Sequence, residues 1–139
     1  MTTWHGPYPG HVHKWQPVDG RVACATCGRA KLKEADFRRQ VVDLAEATGW
    51  EHVGFRPAMT QHGWRTPGTG TMAKGWVDLV LVSPRRHRLL FIELKGDGGV
   101  LDPAQRSVLD ILHCLDCPTV ETFLWSPDDL PEVQAVLTR

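Results

Sequence analysis

Residues 75–95 run Gly75-Trp76-Val77-Asp78-Leu79-Val80-Leu81-Val82, then Ser83-Pro84-Arg85-Arg86-His87-Arg88, then Leu89-Leu90-Phe91-Ile92-Glu93-Leu94-Lys95. Two runs rich in Val, Leu, Ile and Phe flank a basic loop containing Pro84, the pattern of two antiparallel strands in a hairpin. If Val82 pairs with Leu89 across the loop, Asp78 falls directly opposite Glu93. Opposed cross-strand residues have Cβ atoms about 4.5–5.5 Å apart, and like charges there destabilise a sheet. Side chains alternate faces along a strand, so Glu93 and Lys95 share the face that Asp78 takes in this register. Three charges thus converge on one spot of an otherwise apolar hairpin, where unpaired charge is rare. A divalent cation between two carboxylates, beside a Lys able to touch a phosphate or a water, is suited to phosphodiester hydrolysis. The plainer alternative is a salt-bridge cluster on a solvated strand face.

Upstream, residues 32–48 turn helical, with Phe37, Val41, Leu44 and Ala45 on one stripe and Gly49 ending the helix. Glu34 precedes Phe37 by three residues and Val41 by seven, so its carboxylate projects from the buried face. The alternative is a first-turn acid favoured by the helix dipole. Residues 50–56 read as a first strand, and residues 57–74 as a long loop carrying His62, Arg65, Thr66 and Lys74, a candidate substrate flap. Its Gly68-Thr69-Gly70 is no phosphate loop, since no helix N-terminus follows it. Downstream, Gly96-Asp97-Gly98-Gly99 is a turn. Asp102-Pro103 caps a second helix with Val108, Leu109, Leu112 and Leu115 on its buried stripe. Gln105 faces inward from the first turn of that helix, where an amide needs a partner. Residues 119–125 alternate as a last strand, and Asp128-Asp129-Leu130-Pro131 opens a short closing helix. The expected class is α/β, in the order helix, three strands, helix, strand, helix.

Asp78, the hairpin and Glu93-Leu94-Lys95, with Glu34 ahead of Phe37, Gly75 before Asp78, a Gly-rich turn and then Gln105, resemble the VRR-NUC branch of the PD-(D/E)XK nuclease superfamily. The resemblance covers roughly residues 33–127. The family usually has Pro before the Asp, where this chain has Val77. The resemblance implies a restriction-endonuclease-like core and a Mg²⁺- or Mn²⁺-dependent endodeoxyribonuclease. It also suggests likeness to small stand-alone phage and bacterial proteins similar to Holliday junction resolvases, with a branched DNA substrate and a homodimer. Asp78 and Glu93, with the backbone carbonyl of Leu94 and help from Glu34, would hold the metal. Lys95 would orient the water or stabilise developing charge, and Gln105 would position Lys95 or the phosphate.

The chain of 139 residues fits one ordinary domain. It has no apolar run long enough to span a membrane and no signal-peptide pattern, so a cytoplasmic protein, in the host if phage-encoded, is expected. The formal net charge is zero, yet through residue 40 seven Lys or Arg face three Asp or Glu, against nine and thirteen in the rest. Arg29, Lys31, Arg65, Lys74 and the loop residues Arg85, Arg86 and Arg88 are the candidate nucleic-acid contacts.

Residues 1–31 carry little periodicity and much Gly, Pro, His and Trp, and read as an extension ahead of a nuclease-like unit over 32–139. Cys24-Ala25-Thr26-Cys27-Gly28 has the form of a zinc knuckle, and His11 and His13 complete a candidate Zn²⁺ set, with His5 in reserve. Cys114 and Cys117 read as ordinary thiols, the alternative being a four-Cys site with Cys24 and Cys27. Two rival functions stand beside the nuclease. One is a non-cleaving zinc-knuckle nucleic-acid binding module on a nuclease-like core. The other is a flap or single-strand nuclease in phage repair or packaging.

Overall fold

The computed structural model describes residues 12–55, 58–65 and 68–139. The hairpin expected over residues 75–95 forms: β6 (Leu79–Ser83) pairs antiparallel with β7 (Arg88–Leu94), Val82 opposite Leu89 and Leu79 opposite Ile92. Both strands are apolar on both faces because helices pack against each face, Val82 near the loop being the exposed exception. Leu79, Leu81, Leu90, Ile92 and Leu94 meet Phe37, Val41 and Ala45 of α1 (Glu34–Ala47) and Val133, Val136 and Leu137 of α3 (Leu130–Thr138). Val80 and Phe91 turn to the other face, against Val108, Leu109 and Leu112 of α2 (Pro103–His113). Each such fully buried aliphatic side chain contributes about 1.5–3 kcal/mol.

The result is a mixed α/β layer structure. A four-stranded sheet has the order β3-β6-β7-β8, with β3 (Glu51–Gly54) antiparallel to β6, and β8 (Val120–Trp125) parallel to β7 after the crossover through α2. Among the described residues no helix is long and apolar enough to cross a membrane.

Three expectations change. Residues 58–65 are not a structureless flap: β4 (Ala58–Thr60) and β5 (Gly63–Arg65) make a small hairpin, its turn fixed by Gly63 at φ +92 and the Thr60 hydroxyl donating to the Gly63 carbonyl. The extension is also not without strands. β1 (Trp15–Val18) and β2 (Arg21–Cys24) pair through Asp19-Gly20, both at positive φ, the two-residue turn whose twist matches paired strands. Leu115, expected on a buried stripe, is exposed because α2 ends at His113.

Candidate active site and metal centre

Asp78 sits one residue ahead of β6, where the ladder opens and its backbone N–H still donates to the Ile92 carbonyl at 3.1 Å. Its approach depends on Gly75, at φ +91, where a Cβ would lie 2.4 Å from the backbone of Ala104 in the first turn of α2. Both carboxylate oxygens are engaged. Arg38 donates to Oδ1 and the Leu94 backbone N–H to Oδ2, each at 2.9 Å.

Glu93 is buried, with 1% exposure. Its Oε1 accepts from Gln105 Nε2 at 2.6 Å and lies 3.4 Å from Lys95 Nζ, while Oε2 is buried with no hydrogen-bond partner. Burial and then the neighbouring Asp78 carboxylate raise its pKa to about 8, against the pull of Lys95. The opposed pair expected from the sequence is therefore relieved twice, by a proton on Glu93 at neutral pH and by the Arg38 guanidinium on Asp78.

Gln105 is held by the helix it starts. In a reciprocal capping box its backbone N–H donates to Asp102 Oδ1 at 2.9 Å and its Oε1 accepts from the Asp102 N–H at 3.1 Å. With its oxygen so committed, the amide nitrogen is left for Glu93. Gly96 brings the far layer in, since a Cβ there would lie 2.5 Å from the Glu34 backbone nitrogen at the start of α1. Glu34 is the outermost member, its carboxylate 3.2 Å from Arg38 Nη2.

Arg38 is the residue that sequence reading missed. It follows Glu34 by one helical turn and adjoins Phe37 on the buried stripe, and a guanidinium at 7% exposure on an apolar stripe demands a carboxylate partner. In the sequence the available signal is the Glu34–Arg38 spacing of one helical turn, and the pairing with Asp78 appears only in the fold. The orphaned buried Oε2 of Glu93, beside the Asp78 carboxylate, is the feature of this site that fits a hard cation. An oxygen-only donor set suits Mg²⁺ or Mn²⁺.

The basic residues are not brought together here. Arg85, Arg86 and Arg88 lie at the other end of β6 and β7, about 15 Å away for five strand residues. Two of them are spent on structure: Arg86 donates to the carbonyls of Thr48 and Arg139, and Arg88 grips Glu121 bidentately at 2.7 and 3.0 Å. Lys74 is exposed on the turn leading to Asp78. Arg29 is paired with Asp97, and Lys31 lies over the Trp15 ring. The Arg65 side chain, His5, His11 and Thr66 lie outside the described residues.

A second cluster forms at the N-terminal hairpin, where donor atoms of His13, Cys24 and Cys27 all lie within 4.8 Å of one another. The knuckle has the turn that such a metal needs. The Thr26 N–H points at Cys24 Sγ at 3.4 Å, and Gly28, at φ +74, returns its N–H to the Cys24 carbonyl at 2.8 Å. Burial alone would push the Cys24 thiol up, but hydrogen bonds from the Cys27 backbone, the His13 ring and the Thr26 backbone bring it down to about 5. Thiolate and imidazole donors suit a soft or borderline cation, Zn²⁺ above all. Among the described residues Cys114 and Cys117 join no such group; Cys117 instead contacts the Thr119 hydroxyl at 3.2 Å.

The central hairpin of the sheet, packed between helices, gathers two carboxylates, a Lys and an amide at one end. The family model of the VRR-NUC domain matches residues 63–120, the stretch that carries Asp78, Glu93, Lys95 and Gln105, and marks this part of the chain as a nuclease-type domain. No curated protein and no solved structure matches the chain.

Proposed function

We propose that the protein is a metal-dependent DNA endonuclease of PD-(D/E)XK topology, acting on branched DNA as a homodimer. The observation that carries the reading is the buried Glu93 carboxyl, whose Oε2 receives no hydrogen-bond donor, beside the Asp78 carboxylate and with Lys95 alongside. Asp78, Glu93 and the Leu94 carbonyl would hold Mg²⁺ or Mn²⁺, with Glu34 in support. The bound cation supplies Lewis-acid polarisation of the phosphate and a more acidic water. Gln105 holds Glu93 in place from the α2 cap. Lys95, 3.4 Å from Glu93, is placed to stabilise charge on the phosphate or to orient the water. Arg38 has to share Asp78 with the incoming cation. Lys74 and Arg65, which flank the turn before Asp78 in sequence, are the DNA contacts best supported by chain position.

Zn²⁺ on Cys24, Cys27 and His13, with His11 as the fourth donor, would hold the N-terminal hairpin. The test is cleavage of four-way junction, flap and linear duplex DNA with Mg²⁺, Mn²⁺ or EDTA, using wild type and Glu93→Gln. Metal-dependent cleavage of the junction alone supports the full reading. Binding without cleavage under every condition would leave a non-cutting DNA-binding module.

A further inference from the structure

Two carboxylates that belong to neither metal site, Asp97 and Asp128, tie the N-terminal hairpin to the turn that follows Lys95. His13 Nδ1 lies 3.6 Å from Cys27 Sγ, on the thiolate side, while its Nε2 lies 2.7 Å from Asp128 Oδ2. With Nδ1 on a metal, Nε2 carries the proton and donates to Asp128, the arrangement in which a carboxylate fixes the tautomer and ring angle of a ligating imidazole. The 3.2 Å approach of Arg29 Nη2 to the same nitrogen is then a contact between two donors. What holds Arg29 there is acid on both sides: Asp128 Oδ1 at 3.0 Å, and Asp97 gripped bidentately at 2.8 and 2.6 Å.

Asp97 is two residues beyond Lys95. It is sealed to the segment leading into α1, its Oδ2 accepting from the Leu32 N–H at 2.8 Å and its own N–H donating to the Leu32 carbonyl at 2.9 Å. Asp128 stands on an equally fixed base, a turn closed by Asp129 Oδ2 accepting from the Ser126 N–H at 2.8 Å. That turn directly follows Trp125, whose carbonyl receives the Lys95 N–H at 2.9 Å. A polar chain therefore runs from His13 through Asp128, Arg29 and Asp97 to the Leu32 backbone, with Asp97 two residues along the chain from Lys95. A hairpin with strands of four residues is marginally stable at best on its own in water, so a metal closing the knuckle would add to what keeps His13 and Arg29 in the chain.

We propose that the knuckle is a positioning element of the active site. Asp128 orients His13 for the metal, and metal occupancy holds Arg29 on Asp97 so that Lys95 stays beside Glu93. This rests on the zinc and nuclease readings above, and the experiment separates the three. Zn²⁺ affinity is measured by competition with a chromogenic chelator. Turnover and DNA affinity are measured in Mg²⁺ before and after treatment with a nitrogen-donor chelator that spares Mg²⁺. Asp128→Asn is expected to bind Zn²⁺ about 10- to 100-fold more weakly. Asp97→Asn is expected to keep its zinc and its DNA affinity but lose about tenfold or more in kcat, as expected for a catalytic group displaced by a fraction of an ångström to 1 Å.

Chelation should lower wild-type kcat to the Asp97→Asn level, Zn²⁺ should restore it, and chelation should add nothing to Asp97→Asn. Additive losses, or chelation that weakens DNA binding while kcat holds, would overturn the proposal. Should the wild type cut no DNA, the nuclease reading fails, and hydrogen exchange at the Asp97 and Gly99 amides still decides the coupling. Both are bonded, to Leu32 and Gly96. Exchange unchanged by zinc removal refutes it. Protein that purifies without zinc and takes none up fails the zinc reading instead.

Discussion

Raising the pH from 6 to 8 should tighten metal binding at the active site steeply and then stop. Glu93 titrates at about 8 in the metal-free protein, and only its anion can hold a cation. The apparent dissociation constant then carries a factor of one plus the ratio of protonated to ionised Glu93, about 100 at pH 6 and about 2 at pH 8, a tightening of about 50-fold. From pH 8 to 9 the gain is only about twofold. The folding equilibrium moves the other way. Because the folded-state pKa is raised above the unfolded value, this group's stabilisation is full at low pH and is lost as pH rises through about 8. The loss from pH 6 to 8 is at most about 2 kcal/mol, less where water screens the pair. Mg²⁺ should cancel it. The assay is calorimetric titration of Mg²⁺ or Mn²⁺, without DNA, in buffers of different ionisation enthalpy. At pH 7 about 0.9 proton should leave per cation bound. Affinities equal within twofold at pH 6 and 8, with heats independent of buffer, would refute a protonated Glu93.

Arg38→Ala strands Asp78 in a mostly buried setting and should destabilise the metal-free protein by about 2–4 kcal/mol, with Mg²⁺ restoring more of the melting temperature than it adds to wild type. Equal Mg²⁺ shifts in both proteins would count against Arg38 as the resting counter-ion. Lys95→Ala should lower kcat by at least about 100-fold while DNA affinity, set by many phosphate contacts, changes by less than about threefold; the reverse pattern in a filter-binding and cleavage comparison would make Lys95 a binding residue. Gly75→Ala combines a left-handed backbone with a Cβ driven into Ala104, and should cost at least about 2–3 kcal/mol in denaturant melts. A Gly75→Ala protein as stable as wild type would show that the strand reaches Asp78 by another path.

The sheet's central hairpin was legible because two faces of apolar residues and one basic loop allow a single register, and that register sets Asp78 and Glu93 together. α2 was legible for the same kind of local reason, since Asp102 and Gln105 write both halves of a capping box into one turn. Arg38 was not, because its partner lies forty residues on and no periodicity announces an ion pair across layers. Nor could the charge state of Glu93 be read, as it depends on how completely α2 shuts the site from water. The two small hairpins were obscured by different means. β4 and β5 are only three residues each, below the length at which alternation is visible, and Asp19-Gly20 was hidden among other Gly and Pro residues. The distance of the loop arginines from the carboxylates follows from the hairpin register, whereas their partners Thr48, Glu121 and Arg139 lie on other elements and appear only in the fold.

The guanidinium inside the acidic cluster has a consequence for the first encounter with DNA. At neutral pH Glu34 and Asp78 are negative, Glu93 is held neutral by its proton, and Arg38 and Lys95 are positive, so the metal-free pocket sums to about zero charge. A phosphodiester strand drifting toward it meets no electrostatic wall. Scattered cations on the surrounding surface can therefore set the association rate on their own, and a protein with no overall charge need not be a slow one to reach its substrate.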